Sequence, residues 1–145
     1  MELPPTLLGT TTFVLHKVGV ANRRAIAARL AGETGLSLWE FAVLATLADG
    51  GPAAQREVGA RLGADPSDMV RLMDGLLREG LAGRERDPDD RRRYRVTLTP
   101  AGRERLARAR EIVADTERRR LAPLSPAEQA QLHTLITKLF HHPPA

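Results

Sequence analysis

Between Arg84 and Gly102 the chain reads RERDPDDRRRYRVTLTPAG, with six arginines and four acidic residues in the first twelve positions. Arginine carries a planar five-donor fork that matches phosphate oxygens and the edge of guanine. Arg84, Arg86, Arg91, Arg92 and Arg93 are therefore candidates for contact with a polyanion. Facing outward, Asp87, Asp89 and Asp90 would oppose that role. Turned inward, one or two of them would fix arginines in place, so that less rotamer freedom is lost on binding. The competing reading is a solubilising loop laced with surface ion pairs, each worth roughly 0–1 kcal/mol.

Other chemistries are poorly supplied. His16, His133, His141 and His142 are the only histidines, and there is no cysteine. That excludes disulfides, thiolate metal sites and thiol redox switches. The sequence has no HExxH, no carboxylate pair in an apolar setting and no glycine loop placed to hold phosphate after a strand. Nothing reaches three metal ligands at usable spacing. No enzyme activity, cofactor or metal is expected, and His141–His142 reads as part of a polar tail. All but two of the 22 basic residues are arginine, and the formal net charge is +4. A GC-rich genome would produce the same arginine excess, so composition alone does not establish a nucleic-acid partner.

The elements that must carry the charged segment follow from periodicity. At 145 residues the chain fits one domain. Only 3% of residues are aromatic, so leucine, valine and alanine must do most of the packing. No apolar run approaches the roughly 18 residues of a membrane span, and no export signal opens the chain, so a cytoplasmic protein is expected. The pattern predicts one long helix over 6–30, a break at 32–35, and a central helix LWEFAVLATLA capped by Ser37 with Glu40. A short helix follows over 53–62. After the turn GADPS, a helix capped by Asp65 with Pro66 at its first position buries Met69, Leu72, Met73 and Leu76. Residues 81–86 and 94–99 alternate as two antiparallel strands, with DPDD as their turn. Thr99 and Pro100 start a helix to about 120 with Leu106, Ala109, Val113 and Thr116 inward. Ser125, Pro126 and Glu128 start the last, ending near 140.

A short helix, a tight turn, a longer amphipathic helix and a charged hairpin describe a winged helix-turn-helix. The expected fold is mainly α with one β-hairpin wing and about six helices, the DNA-binding region lying at 53–98. On the helix after the turn, Ser67, Asp68, Val70, Arg71 and Arg78 face solvent. Ser67 suits a phosphate or base edge, Arg71 a guanine and Val70 a thymine methyl. Asp74 is expected to pair with Arg71 or Arg78. The terminal helices, 6–30 and 121–140, carry apolar stripes that the winged core cannot cover. Leu132, Leu135, Ile136, Leu139 and Phe140 are expected to pack on Leu7, Leu8 and Leu15 of a second copy, the alternative being ends that fold back within one chain. Phe13, His16, Trp39 and Phe41 combine aromatic surface with one polar group, as a ligand pocket requires, although an ordinary core would contain the same residues.

The segment QREVGARLGADPSDMVRLMDGLLREGLAGRERDPDDRRRYRVTLTPAG, Gln55 to Gly102, resembles the MarR family of transcriptional regulators. The motifs that carry the resemblance are RLMDGL, GL, RDPDDRR and LTPAG, in order and at the family's spacing. The resemblance implies that Asp90 steadies Arg92 as it approaches the minor groove. It implies that Leu98, Thr99 and Gly102 return the wing to the next helix, and that Ser67 and Arg71 lie on a recognition helix. It also implies a homodimer, a palindromic double-stranded operator, and release by a small aromatic or phenolic effector. The alternative is a non-regulatory DNA-associated or protein–protein winged-helix module. The sequence departs from the family's pattern at Gly75, where arginine is frequent, at Gly59, where alanine is usual, and at Ala53 and Ala54, which offer no side-chain cap.

Overall fold

The computed structural model describes residues 2–142 and 144. Of the tail expected at 141–145, residues 143 and 145 therefore lie outside the described residues. The element order is α1 (Pro5–Leu8), α2 (Thr11–Thr34), α3 (Leu38–Gly50), α4 (Gln55–Leu62), α5 (Pro66–Arg78), β1 (Ala82–Arg86), β2 (Tyr94–Leu98), α6 (Pro100–Leu121) and α7 (Pro126–Phe140).

The first helix differs from its expected form at both ends. Thr10 is extended (φ −99°, ψ 102°) and its hydroxyl donates to the Thr6 carbonyl at 3.0 Å, which splits the stretch into α1 and α2. At the other end α2 runs through Gly32 and stops at Gly35, whose φ of 71° suits glycine. Tertiary contacts hold that extra turn. Thr34 is buried, its hydroxyl donates to the Leu30 carbonyl at 2.6 Å, and Arg105 of α6 donates to the Thr34 carbonyl at 2.7 Å.

Helix α3 is central, with Val43, Leu44 and Leu47 buried. Ser37 accepts from the Glu40 amide at 3.1 Å. Helix α4 begins two residues later than its pattern suggests, because Ala53 is drawn into the sheet. Its N–H donates to the Val96 carbonyl at 3.2 Å, and the Val96 N–H returns a bond at 2.8 Å. The hairpin is thus fastened to the helix-turn-helix by backbone, as a lone hairpin requires. Strands β1 and β2 are antiparallel, in register from Ala82↔Leu98 to Arg86↔Tyr94. The caps at Asp65, Thr99 and Ser125 all form, the last as a full capping box with Glu128.

The core joins Leu30 and Leu36, the buried face of α3, Val58 of α4, Met69, Met73 and Leu76 of α5, Leu81, Val96 of β2, and Leu106, Ala109 and Ile112 of α6. Ile112 is a buried member of the α6 stripe beyond those expected, and Val113 beside it is half-buried. Helices α2 and α6 are also tied by charge. The Arg29 guanidinium meets Asp115 at 2.6 Å, Glu33 at 3.0 Å and the Thr116 hydroxyl at 3.0 Å. Asp115 is held below the usual carboxylate range, first by Arg29 and then by Arg119 and Arg118.

Candidate nucleic-acid interface

The turn between α4 and α5 is short because Gly63 takes φ 64° and Asp65 caps α5 at once. Asp65 accepts both the Ser67 amide at 2.8 Å and the Ser67 hydroxyl at 2.5 Å. These bonds hold its carboxyl below the ordinary value, the hydroxyl contributing most. The Ser67 hydroxyl proton is therefore committed within the cap, and its oxygen lone pairs remain for an outside donor.

Ser67, Asp68, Val70, Arg71, Asp74 and Arg78 are all exposed on α5. The pairing expected of Asp74 is not formed. Arg71 pairs instead with Asp68, one turn toward the N-terminus, and neither Asp74 nor Arg78 has an ion-pair partner among the described residues. Helical side chains lean toward the N-terminus, which turns Arg71 toward Asp68. A shallow apolar groove runs between α4 and α5, lined by Gly59, Ala60, Pro66, Met69 and Val70. Gly59 accounts for its own departure from the family pattern. A Cβ there would sit 2.9 Å from Met69 Cγ, so glycine lets α5 approach α4 closely.

The wing sorts its charges unevenly. Arg84 Nη2 donates to Gln55 Oε1 at 3.3 Å, joining the hairpin to the start of α4; Gln55 carries no signal in the sequence beyond its place at a helix start. Arg95 pairs with Glu85 across the strands. Arg86 Nη1 donates to the Arg91 carbonyl at 2.6 Å, and its guanidinium carbon lies 5.0 Å from the Tyr94 ring centre. Two of the three loop acids serve the backbone. Asp87 Oδ1 accepts from the Asp89 amide at 2.9 Å, and Asp90 Oδ1 accepts from the Arg92 amide at 3.1 Å. Asp90 Oδ2 stands 3.6 Å from Arg93 Nε. Asp90 thus holds Arg92 by its main chain and leaves its guanidinium alone. Arg91 and Arg92 are the two wing arginines whose side chains have no hydrogen-bond or ion-pair partner among the described residues.

Of the residues expected to line a ligand pocket, Trp39 alone borders the cleft beside the helix-turn-helix. Trp39, half exposed, lines a cleft of about 590 Å³ with Glu40, Gly63, Ala64, Asp65, Asp68, Arg71 and Leu72. Phe13, His16 and Phe41 are not part of that cleft. Phe13 is half-buried under Lys17, whose Nζ lies 5.5 Å from the ring centre; His16 is exposed; Phe41 packs against the core. Burial pushes the Glu40 carboxyl up, and the nearby Glu79 adds to the shift.

A short helix, a glycine turn, an exposed second helix and a two-stranded wing fastened to both define a winged helix-turn-helix DNA-binding protein. Residues 34–93 match the model of the MarR family. The chain is 37% identical over 110 residues to YkoM of Bacillus subtilis (strain 168), described as an uncharacterized HTH-type transcriptional regulator, covering 76% of this chain and 71% of that one. In structure it is similar to a probable transcriptional regulator from Pseudomonas aeruginosa, with 31% identity, 91% and 98% of the two chains covered and a TM-score of 0.79. It is also similar to CouR from Rhodococcus jostii RHA1 bound to p-coumaroyl-CoA, with 28% identity, 92% and 93% coverage and a TM-score of 0.77. The chain belongs to the MarR family. It is a DNA-binding transcriptional regulator and not an enzyme. No helix among the described residues is long and apolar enough to cross a membrane.

Proposed function

We propose that the protein is a homodimeric repressor that binds a palindromic double-stranded operator through α5 and the wing, and leaves it when a small organic molecule binds. The observation that carries the DNA reading is the division of charge in the wing. Asp87 and Asp90 are turned to main-chain amides, and Asp90 and Glu85 to neighbouring arginines, while among the described residues the Arg91 and Arg92 guanidiniums have no partner; Asp89 is the one wing acid whose carboxylate is left to solvent. Ser67, Val70, Arg71 and Arg78 offer a second set of contacts from α5, and Arg71 must leave Asp68 to reach DNA. Dimerisation through 6–30 and 121–140 would place two recognition helices roughly 34–36 Å apart, one turn of DNA. The effector reading leans on CouR, a relative seen with an aromatic acyl thioester. In this chain Phe13, His16, Trp39 and Phe41 are the candidates for contact.

A fluorescence anisotropy titration against the palindrome nearest the gene tests this. Arg92→Ala weakens binding at least about tenfold, near 1.4 kcal/mol. Asp90→Ala weakens it too, although a negative charge is lost; tighter binding by that variant means the acid only repels DNA. Log affinity falls with log salt at a slope steeper than about −4 for the dimer, from roughly −0.9 per phosphate neutralised. Equal affinity for bulk DNA reduces the protein to a non-regulatory DNA-associated module. In the same titration, an aromatic acid that releases the wild type and equally the His16→Ala variant places the effector elsewhere.

A further inference from the structure

We infer that Arg86 and Tyr94 form a positioning clamp for the wing, in which Arg86 stacks on Tyr94, holds the Arg91 carbonyl and thereby aims Arg91 and Arg92, without touching DNA itself. The inference rests on the reading that the wing meets DNA, and it reassigns one arginine that the sequence offers as a contact.

Arg86 and Tyr94 are the last ladder pair before the loop. Directly opposed residues of antiparallel strands present their side chains on the same face, close enough to touch. Here the guanidinium carbon lies 5.0 Å from the Tyr94 ring centre, within the range of a cation–π contact. The same guanidinium reaches over the loop to the Arg91 carbonyl at 2.6 Å.

Other bonds shape parts of the loop but do not span it in this way. The Asp87 amide donates to the Arg93 carbonyl at 2.9 Å and closes the base; the Arg93 amide donates to the Asp90 carbonyl at 2.9 Å and forms the turn. Asp90 and Asp87 each hold an amide two residues on. Arg86 is the side chain that ties the end of the ladder to Arg91.

Tyr94 would otherwise lack a purpose. Val96 is buried and Leu98 is packed on the core, but Tyr94 lies beyond the edge of that surface and is 54% exposed. Core burial does not call for an aromatic ring there. A platform for Arg86 does. A planar fork can stack on a ring and donate in its own plane at once, whereas a lysine ammonium is a point charge with no plane to stack.

The test compares full-length variants in operator titrations at several salt concentrations, with thermal melts as a control on folding. Tyr94→Phe keeps the ring and retains wild-type affinity. Tyr94→Leu and Arg86→Lys each weaken binding about three- to tenfold, the second although its charge is preserved. Tyr94→Leu leaves the salt slope unchanged, because no phosphate contact is lost. Arg92→Ala flattens the slope by about 0.9 for each phosphate it had neutralised. Wild-type affinity in Arg86→Lys makes Arg86 a simple charge contact and overturns the clamp, as does a loss of affinity in Tyr94→Phe, which would put the hydroxyl on DNA. Should Tyr94→Leu fail to fold, Arg86→Lys decides alone. A clamp that fails while Arg92→Ala still weakens binding leaves the wing reading intact; unchanged binding by Arg92→Ala removes both.

Discussion

The winged lobe and the two ends of the chain are built to opposite plans. In the lobe, α3 to α6 and the hairpin cover one another and seal Leu44, Met73, Leu76 and Leu106, leaving Trp39, Val70 and Tyr94 as its exposed large apolar side chains among the described residues. At the ends, α1 and α7 have no buried residue among those described. Leu8, Leu15, Val18, Leu135, Ile136, Leu139 and Phe140 lie open, Leu139 at 63% and Phe140 at 79% exposure. Leu7 and Leu132 are half-buried. Among the described residues, the side-chain hydrogen bonds that tie α7 to the chain before its cap come from Gln129 in its first turn, which donates to the Leu121 carbonyl at 3.1 Å and the Leu124 carbonyl at 3.0 Å. The lobe is a finished core. An apolar face this extensive on regular helices is what the proposed dimer would cover.

The contrast can be broken most sharply at α7. Leu135→Asp with Leu139→Asp places charge at the proposed seam. Sedimentation should then find a species near the 15.9 kDa chain mass or an insoluble chain, with operator affinity reduced by orders of magnitude. A soluble dimer would falsify the assignment of α7 to the interface.

Inside the lobe, two glycines give opposite expectations from one substitution. A Cβ on Gly102 would lie 2.0 Å from the Leu81 carbonyl oxygen and 2.7 Å from Leu98 Cδ1. Gly102→Ala must push α6 off the root of the wing, at a cost near the upper end of about 1–3 kcal/mol. Urea unfolding reads this as a lower midpoint, and an unchanged midpoint would mean that the junction yields freely. Gly75 is the smaller effect. Its nearest neighbour is the flexible tip of Arg78 at 4.0 Å, so nothing at the site requires glycine. Gly75→Ala should raise stability by roughly 0.5–1 kcal/mol through helix propensity. Destabilisation in the same unfolding experiment would show that the recognition helix needs its glycine for packing.

Much of this was legible in the chain. Asp65-Pro66, Thr99-Pro100 and Ser125-Pro126 mark helix starts because a capping side chain and a fixed φ act within one turn, and all three stand where they were expected. The buried side of α5 and the strand alternation are likewise local periodicities. The motifs RDPDDRR and LTPAG were enough to indicate the family, and their residues mark the wing and its return to α6.

What the sequence by itself determined was therefore the order of elements, their inner faces and the position of the charged hairpin, since each depends on neighbours a few residues away. Only the tertiary structure decided which arginine meets which partner. Arg71 turning to Asp68, Arg84 reaching Gln55 twenty-nine positions earlier, and Arg86 lying on Tyr94 are choices among many carboxylates, amides and rings at similar sequence distance. The same holds for α2, whose last turn survives Gly32 because Arg105 from α6 caps it. A long flexible side chain carries no record in its own sequence of where it will lie; the packed backbone around it supplies the partner.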